Sequence, residues 1–485
     1  MKRQNISRRF FIGGSLALGA FGGCRFFRTA SAFREGDAPR LRFGVVSDVH
    51  IRWGNSETFL HTLESFRDDG VDAVMICGDI ADLGYVGDLE AIAVAWEKVF
   101  PGNRAPDGRL VEKVFVTGNH DWAGHNYGKA MRNKFPGPGE FEKNILQADI
   151  KGKWERIFHE PFSPMYIKDI KGYKFVGAHW VKNDCNGHSE NFNDGIRDFY
   201  AAHAGEFDPS LPFFHAQHPH PRNTCYGPWA WGRDNGDSTA ALSVFPNAIA
   251  FSGHSHYPLT DERSIWQGDF TSIGTSSLRY SAAPRSGYPE PGFENGGGSD
   301  HLKVMGGEPT WNNGRQGMVV SVYDDAVVIA RREYVTDQAL GESWVMPLPA
   351  AESKPFAFAG RAKSAIAPEF APGAGVVVTK GKGKTRKAGK LPSVEKETYN
   401  LRFPAAVSTA KSRVYEYEFT FIGGGRREVR RMIAPGYHLP LSNKRVSAEV
   451  KCSFVAETLP PAPFKVEVRP LSSFHKAGAP IVGGC

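Results

Sequence analysis

The sequence predicts an α/β fold followed by a small all-β sandwich domain, and three observations carry that prediction. From residue 41 onward, short apolar runs of buried-strand character alternate with segments of helical periodicity. Several of those runs end directly in Asp, Asn or His. Beyond about residue 365 the helical spacing stops, and strand-length segments separated by Pro and Gly take over. With 485 residues, 41% hydrophobic and 23% charged, the chain has ordinary globular composition and room for two or three domains, which excludes a wholly disordered protein.

The first strands are expected at Leu41–Val49 (LRFGVVSDV), Val71–Ile80 (VDAVMICGDI) and Val111–Gly118 (VEKVFVTG). Between them, Ser56–Asp69 and Asp88–Phe100 space their apolar residues as helices do, with Gly70 and Pro101 just past the ends. Alternation of this kind implies a sheet covered on both faces. Further strands are expected at Tyr173–Ala178, Pro212–Gln217, Asn247–Ser252 and Asp269–Gly274, and a hairpin over Gly317–Tyr334 turning at Asp324 and Asp325. Residues 122–160, 181–211 and 280–316, rich in Gly, Pro, Asn and aromatics, read as long loops around a site. The domain borders follow: a first domain over 40–345, a Pro/Ala-rich linker at 346–364, and a β-sandwich over 365–485 with strands at Gly375–Lys380, Glu397–Phe403, Arg413–Ile422, Arg445–Val455 and Phe464–Val468.

Lys plus Arg exceed Asp plus Glu by 59 to 52, a formal charge of +7. Six of those charges (Lys2, Arg3, Arg8, Arg9, Arg25, Arg28) lie in residues 1–32, which contain no acid. That segment has a basic start, an apolar stretch from Phe10 to Gly23 and small residues Ala30, Ser31 and Ala32, the layout of a signal peptide cleaved after Ala32. Its Ser7-Arg8-Arg9-Phe10-Phe11-Ile12 run resembles the twin-arginine export signal, implying a periplasmic or extracellular destination. Without it the charge is +1, and the run Lys380–Lys390 (KGKGKTRKAGK) contributes six positive charges of its own. That run lacks interleaved aromatics and reads as a solvated hairpin tip rather than a nucleic-acid site. No later stretch is apolar and long enough to span a membrane. An oxidising destination permits disulfides; Cys185–Cys225 and Cys452–Cys485 are the expected pairs, with Cys77 a buried thiol.

The chemistry is carried by residues at strand ends. Asp48 and His50 close the first strand, Gly78-Asp79 the second, Gly118-Asn119-His120-Asp121 the third and Gly253-His254-Ser255-His256 a later one, while His215, His218 and His220 crowd the end of the Pro212 strand. Burying so many carboxylates and imidazoles together costs several kcal/mol in desolvation unless metal ions accompany them. Carboxylate, amide and neutral imidazole donors suit Mn, Fe or Zn.

Asp-x-His, Gly-Asp-x-x-Asp, Gly-Asn-His-Asp, a single His and Gly-His-x-His, in that order over about residues 40–335, resemble the calcineurin-like metallophosphoesterase family. The resemblance implies a double β-sheet sandwich flanked by helices and two divalent metal ions. It would make Asp48, His50, Asp79 and His256 the ligands of one ion and Asp79, Asn119, His218 and His254 those of the other, with Asp79 bridging. His215 and His220 stand as alternatives to His218. Two such ions would supply an acidified water as the nucleophile toward phosphorus. His120 would protonate the leaving oxygen or steady the phosphoryl group, with Asp121 orienting it. Asp82 is expected to support the ligands, and His179 to border the pocket with Trp122, His125, Trp180, Asn183, Trp229 and Trp231. The purple acid phosphatase branch carries Tyr three residues after the bridging Asp; here Asp82 stands there, so no tyrosinate–iron colour is expected. The C-terminal segment resembles a fibronectin type III or immunoglobulin-like module. The expected function is an exported phosphoesterase acting on a small-molecule or lipid-like phosphodiester, with phosphomonoesters, or a binding protein with a relic metal site, as the alternatives.

Overall fold

The computed structural model describes residues 38–122, 133, 135, 137–181, 192–225, 234–282, 313–385 and 394–485. The export segment, Cys185, His125, Asn183, Trp229, Trp231 and the tip of the basic hairpin lie outside the described residues.

Two sheets pack face to face in the first domain. Strands β1 (Leu41–Val46), β2 (Ala73–Cys77) and β3 (Glu112–Val116) run parallel. The second sheet holds β4 (Met165–Ile170), β5 (Tyr173–Ala178), β6 (Phe213–Ala216), β7 (Ala248–Ser252), β8 (Ile265–Gln267) and β9 (Thr271–Gly274), in the order β4-β5-β6-β7-β9-β8, with β5, β6, β7 and β9 parallel. The chain then returns to the first sheet as β10 (Gln316–Val322), β11 (Ala326–Glu333), β12 (Gln338–Ala339) and β13 (Trp344–Pro347); β10 lies antiparallel to β1 and forms the expected hairpin with β11.

The period-two alternation of each strand divides its side chains between two cores. Phe43, Val45, Met75 and Val114 face Phe175, Phe214, Phe251 and Ile273 between the sheets. On the other side of the first sheet, Val46, Val74 and Ile76 meet α1 (Glu57–Asp69) and α2 (Val86–Val99) through Phe59, Leu63, Phe66, Leu89 and Trp96. The Phe66 ring lies 2.5 Å from where a side chain at Gly44 would begin, which explains the glycine. Helix α1 ends where expected, because Gly70 adopts φ 72° and returns its N–H to the Arg67 and Phe66 carbonyls.

Two of the expected loops contain helices. Residues 122–160 include α3 (Glu140–Asn144) and α4 (Ile150–Phe158), the latter capped by Asp149 accepting from Gly152 N; residues 181–211 include α5 (Ile196–His203). Among the described residues the next helix, α6 (Asp237–Leu242), joins α5 on the outer face of the second sheet. The stretch 346–364 is built into the fold instead of linking two bodies. Met346 and Phe356 are buried in the inter-sheet core, and Phe358–Ser364 forms α7, whose Phe358 packs 5.8 Å from Phe474.

The C-terminal domain is two antiparallel sheets enclosing one aromatic-rich core. One holds β14 (Val377–Thr385), β15 (Val394–Pro404) and β18 (Glu449–Val455); the other orders β17 (Arg426–Ile433), β16 (Glu416–Gly423), β19 (Lys465–Leu471) and β20 (Ile481–Gly484) as β17-β16-β19-β20. Cys452 and Cys485 do not form the expected bridge. Both are free thiols, one on β18 and the other past β20 at the edge of the opposite sheet. Cys225 is free as well, its thiol meeting the Ser264 and Ser272 carbonyls at 3.3 and 3.2 Å. The two domains are joined by buried contacts: Gln316 Nε2 donates to the His438 carbonyl at 2.7 Å, Tyr437 donates to the Ala282 carbonyl at 2.8 Å, and the Arg263 guanidinium lies 4.4 Å over the Tyr415 ring.

Candidate metal centre

Because β1, β2, β3, β6 and β7 end on the same side of the sandwich, the residues that follow them converge. Backbone bonds stitch the strand-end loops together: Asp48 N donates to Gly78 O and His50 N to Asp79 O, both at 3.0 Å, and Gly253 N to His218 O at 2.8 Å. The turns are tight. Asp48, His50, Asp79, His254 and His256 all have positive φ, between 47° and 68°, a conformation that costs about 1–2 kcal/mol per non-glycine residue and collects at functional sites. Glycine stands before three of the ligand candidates because a neighbouring side chain occupies the space a Cβ would take. A Cβ at Gly78 would lie 2.4 Å from His218 Nδ1, at Gly118 2.2 Å from Asp79 Oδ1, and at Gly253 2.3 Å from Asp48 Oδ2.

Among the described residues three overlapping groups of donor atoms result, each within 4.8 Å of one another: Asp48, His50 and His256; His50, Asp79 and His120; and Asp79, His218 and His254. His256 Nε2 lies 3.0 Å from Asp48 Oδ1, and His218 Nε2 lies 3.2 Å from Asp79 Oδ2 and 3.1 Å from both Asn119 Oδ1 and His254 Nδ1. Asp48, Asp79 and His218 are essentially without solvent exposure.

Of the three histidines near β6, His218 is the one that meets Asp79. Its Nδ1 donates to the Cys77 carbonyl at 2.8 Å, which turns Nε2 toward the carboxylate. His215 is 2.8 Å from both the Tyr200 hydroxyl and Gln217 Oε1, and His220 is held between the Ser252 and Ser255 hydroxyls at 2.6 and 2.8 Å. Burial pushes His215 down to about 4 and His220 down to about 3, so both are neutral packing groups.

The centre attracts positive charge. Burial opposes ionisation of Asp48, but His256 and His50 outweigh it and hold that carboxyl well below the usual range; His218 and His120 do the same for Asp79. In return, against the cost of burial, bonds to Asp48 and Asp82 and the charge of Asp79 raise His50 to about 10, and Asp79 raises His218 to about 9. Buried carboxylates that draw protons onto imidazoles this strongly, among oxygen and nitrogen donors only, fit divalent cations.

Asp121 sits elsewhere than expected. Its carboxylate accepts from Gly118 N at 2.8 Å, Ala81 N at 2.8 Å and Ile80 N at 3.2 Å, so it ties the β2 and β3 loops together instead of orienting His120. The group that orients His120 is the Asp82 carbonyl, which accepts from Nδ1 at 2.8 Å. Asp82 also supports the ligands through its carboxylate, 3.0 Å from His50 Nδ1 and 2.7 Å from Arg52 Nε. His179 does not border the cleft: it is buried beneath Trp154 and Phe162 and accepts from Thr117 N at 3.1 Å. Trp122 is likewise core, its Nε1 donating to the Trp180 carbonyl at 2.7 Å, whereas the buried Trp180 ring reaches the metal centre, 6.3 Å from the His218 ring and 6.2 Å from the His254 ring. Two contributors have no motif in the sequence. Tyr280 stacks on His256 at 4.2 Å and offers its carbonyl to His256 Nδ1 at 3.1 Å, and Ser47, bridged to Thr275 at 2.7 Å, donates to Asp48 Oδ2 at 2.6 Å. Both depend on the loop after β9, whose polar run Thr275-Ser276-Ser277 is the one sequence signal for it.

Residues 41–258 match the model of the calcineurin-like phosphoesterase family. Among solved structures the chain is similar to a conserved uncharacterized protein of Streptococcus pneumoniae TIGR4, a predicted phosphoesterase (14% identity, 63% of this chain and 97% of that one, TM-score 0.27). It is also similar to a dimetal phosphatase of Danio rerio (12%, 64% and 99%, TM-score 0.33) and to PhoD (11%, 64% and 69%, TM-score 0.37). No curated protein matches it.

Proposed function

With residues 41–258 forming a calcineurin-like phosphoesterase domain, that of a metal-dependent phosphoester hydrolase, we propose that the chain is an exported phosphodiesterase with two cation sites sharing Asp79. Asp48, His50, Asp79 and His256 would hold one cation, and Asp79, Asn119, His218 and His254 the other. When bound, two such cations neutralise the phosphate and acidify a water for attack. The observation that carries this reading is the linked set of donor groups at the strand ends, with Asp79 common to two of them.

The chain's own residues supply the rest. His120 is partly open to solvent and gives its Nδ1 proton to Asp82 O, so exchange with the leaving oxygen runs through Nε2. Burial lowers its affinity for a proton, so the ring rests neutral with Nε2 unprotonated and can pass to a leaving oxygen only a proton that Nε2 has first taken up. Among the described residues, a diester is supported by Tyr280, a neutral aromatic group, and by the pairing of Arg52 with Asp82, while the exposed Arg279 beside Tyr280 leaves one cation that would serve the monoester alternative. Export rests on the twin-arginine-like run and the small residues before Ala32. The three-plus-four antiparallel sheets among the described residues support a fibronectin type III-like C-terminal module. No helix among the described residues is long and apolar enough to cross a membrane.

The test is hydrolysis of aryl diester, aryl monoester, nucleotide and glycerophosphodiester by protein loaded with Mn, Fe or Zn. A kcat/KM at least tenfold higher for diesters is expected; the reverse ratio makes the enzyme a monoesterase, and rates no higher than those of Asp79→Ala on every substrate remove the reading. Export is checked by N-terminal sequencing of secreted protein, where a start at Phe33 is expected.

A further inference from the structure

The seam between the two domains holds a cavity of about 370 Å³ whose lining includes none of the metal-centre residues. Four cationic side chains reach it, from β11 (Arg331), α7 (Arg361) and the segment before β16 (Lys411 and Arg413), with Ser472 and Ser473 supplying hydroxyls from the C-terminal domain. One carboxylate is committed to these charges. Glu262 Oε1 lies 2.8 Å from Arg331 Nη1, and Oε2 lies 2.7 Å from Arg361 Nη2. Glu342, the other acid in the lining, gives Arg331 its main-chain carbonyl at 2.7 Å and has an exposed side chain.

Arg413 is left without a counterion. Its guanidinium donates to the Leu439 carbonyl, and among the described residues no carboxylate lies within ion-pair distance of it. Burial, together with the charge of Arg331, pushes it down to about 9 against the weaker pull of Glu262, whose two oxygens are already paired with Arg331 and Arg361. Arg331 is 3% exposed, and its Nε has no hydrogen-bond partner among the described residues. A buried guanidinium with an unsatisfied N–H and a second without a carboxylate cost several kcal/mol unless something else completes them. The fork geometry of arginine matches the oxygens of phosphate, and the surplus of cationic over anionic side chains matches a dianion.

We propose that this seam cavity is a binding site for a phosphate dianion, inorganic or carried on a small alcohol, held by Arg413 and Arg331 with Lys411 at the entrance. The cavity is larger than a bare oxyanion and falls at the lower end of volumes that take small organic ligands. Because its walls come from both domains, an occupant tightens their contact, stabilising the docked state by its own binding free energy.

The test is equilibrium dialysis of labelled inorganic phosphate against the full chain with its metals bound, beside Arg413→Gln, Arg413→Lys and Lys411→Glu. Two classes of site are expected in the wild type, one at the metals and removed by chelation, one surviving it. Arg413→Gln should weaken the surviving class at least tenfold while diester hydrolysis is retained, and Arg413→Lys should keep most of it. If Arg413→Gln fails to fold by circular dichroism, Lys411→Glu decides, since Lys411 is exposed: a severalfold loss supports the site and an unchanged isotherm overturns it. Competition by glycerol phosphate separates the sources, tighter displacement than by phosphate pointing to the organic ester and equal or weaker displacement to the inorganic ion. A wild type whose phosphate binding vanishes entirely on chelation overturns the proposal.

Discussion

The Nε2 atoms of His50 and His256 face each other at 3.3 Å in the interior of the metal centre. Each ring turns its Nδ1 toward an acceptor, the Asp82 carboxylate for His50 and the Tyr280 carbonyl for His256. Both rings therefore keep a proton on Nδ1, and in their neutral forms two lone pairs point at one another. Such an arrangement is stable with a cation between the nitrogens or with one ring charged, and the outer acceptors are those that fix the tautomer of a metal-ligating imidazole.

Metal content should follow from that pair. Wild type is expected to bind about two divalent ions per chain and His256→Ala about one, measured by mass spectrometry of dialysed protein. Saturating metal at about 100 times its Kd should stabilise the wild type by about 2.7 kcal/mol per site, and chelation should remove that gain. Equal metal content in wild type and His256→Ala would assign the ligand elsewhere.

Replacing His120 should separate binding from chemistry. His120→Ala is expected to keep its metal and lose about 10²–10⁴-fold in kcat on substrates with poor leaving groups, the range ordinary for a proton-transfer group. The loss should shrink on nitrophenyl esters, whose leaving oxygen needs little protonation. A loss of equal size on both substrate kinds would give His120 a phosphoryl-steadying role instead.

Much of this centre is legible in the sequence because strand ends and ligands coincide there. Asp48, Asp79, Asn119, His254 and His256 follow apolar runs whose character is unmistakable, and parallel neighbours must bring their ends together. The choice among His215, His218 and His220 is less open than the motif suggests. On β6, His215 shares the parity of Phe213, which packs toward Tyr200 and α5, and so points away from Asp79. Asp121 departs from expectation for another reason: adjacency to His120 in sequence says nothing of side-chain direction in a 3₁₀ turn, where successive residues point apart. Helix α4 was hidden in an expected loop although Ile150, Trp154 and Ile157 are spaced as on one helical face, because Gly152 and the flanking Gly and Pro residues dominate its composition. The Tyr280 contribution comes from a loop reaching across from the second sheet, and only tertiary packing reveals it.

Gly118→Ala probes the close approach of two strand ends. The added methyl would lie 2.2 Å from Asp79 Oδ1 and 2.5 Å from Asp79 N, with the His218 ring at 2.8 Å behind. Main chain and two ligands cannot all retreat, so the expected result is a folded protein with at least tenfold weaker metal binding by titration. Metal affinity equal to the wild type would show that the β2 and β3 ends are farther apart than described.

Stability should also carry a pH signature from the domain seam. Glu416 is fully buried at the start of β16, neither carboxyl oxygen has a hydrogen-bond partner among the described residues, and His475 Nε2 lies 3.5 Å away. Burial raises Glu416 from 4.5 to about 7, against the pull of Arg431 and Arg263 and with Asp261 and Glu418 adding to the rise. The native state therefore holds a proton that the unfolded chain releases. This contribution is fully present below pH 4.5 and is lost as pH rises through about 7, with a size on the order of 3 kcal/mol. His475, pushed down to about 3 by burial and by the charges of Arg263 and Arg431, works the other way, its contribution being lost as pH falls below the ordinary histidine range. The two slopes oppose each other in mildly acid solution, so the difference between wild type and Glu416→Gln isolates the carboxyl. In urea unfolding from pH 4.5 to 8, Glu416→Gln should gain stability relative to wild type as pH rises, and a pH-independent difference would mean that Glu416 is ionised in the native protein throughout.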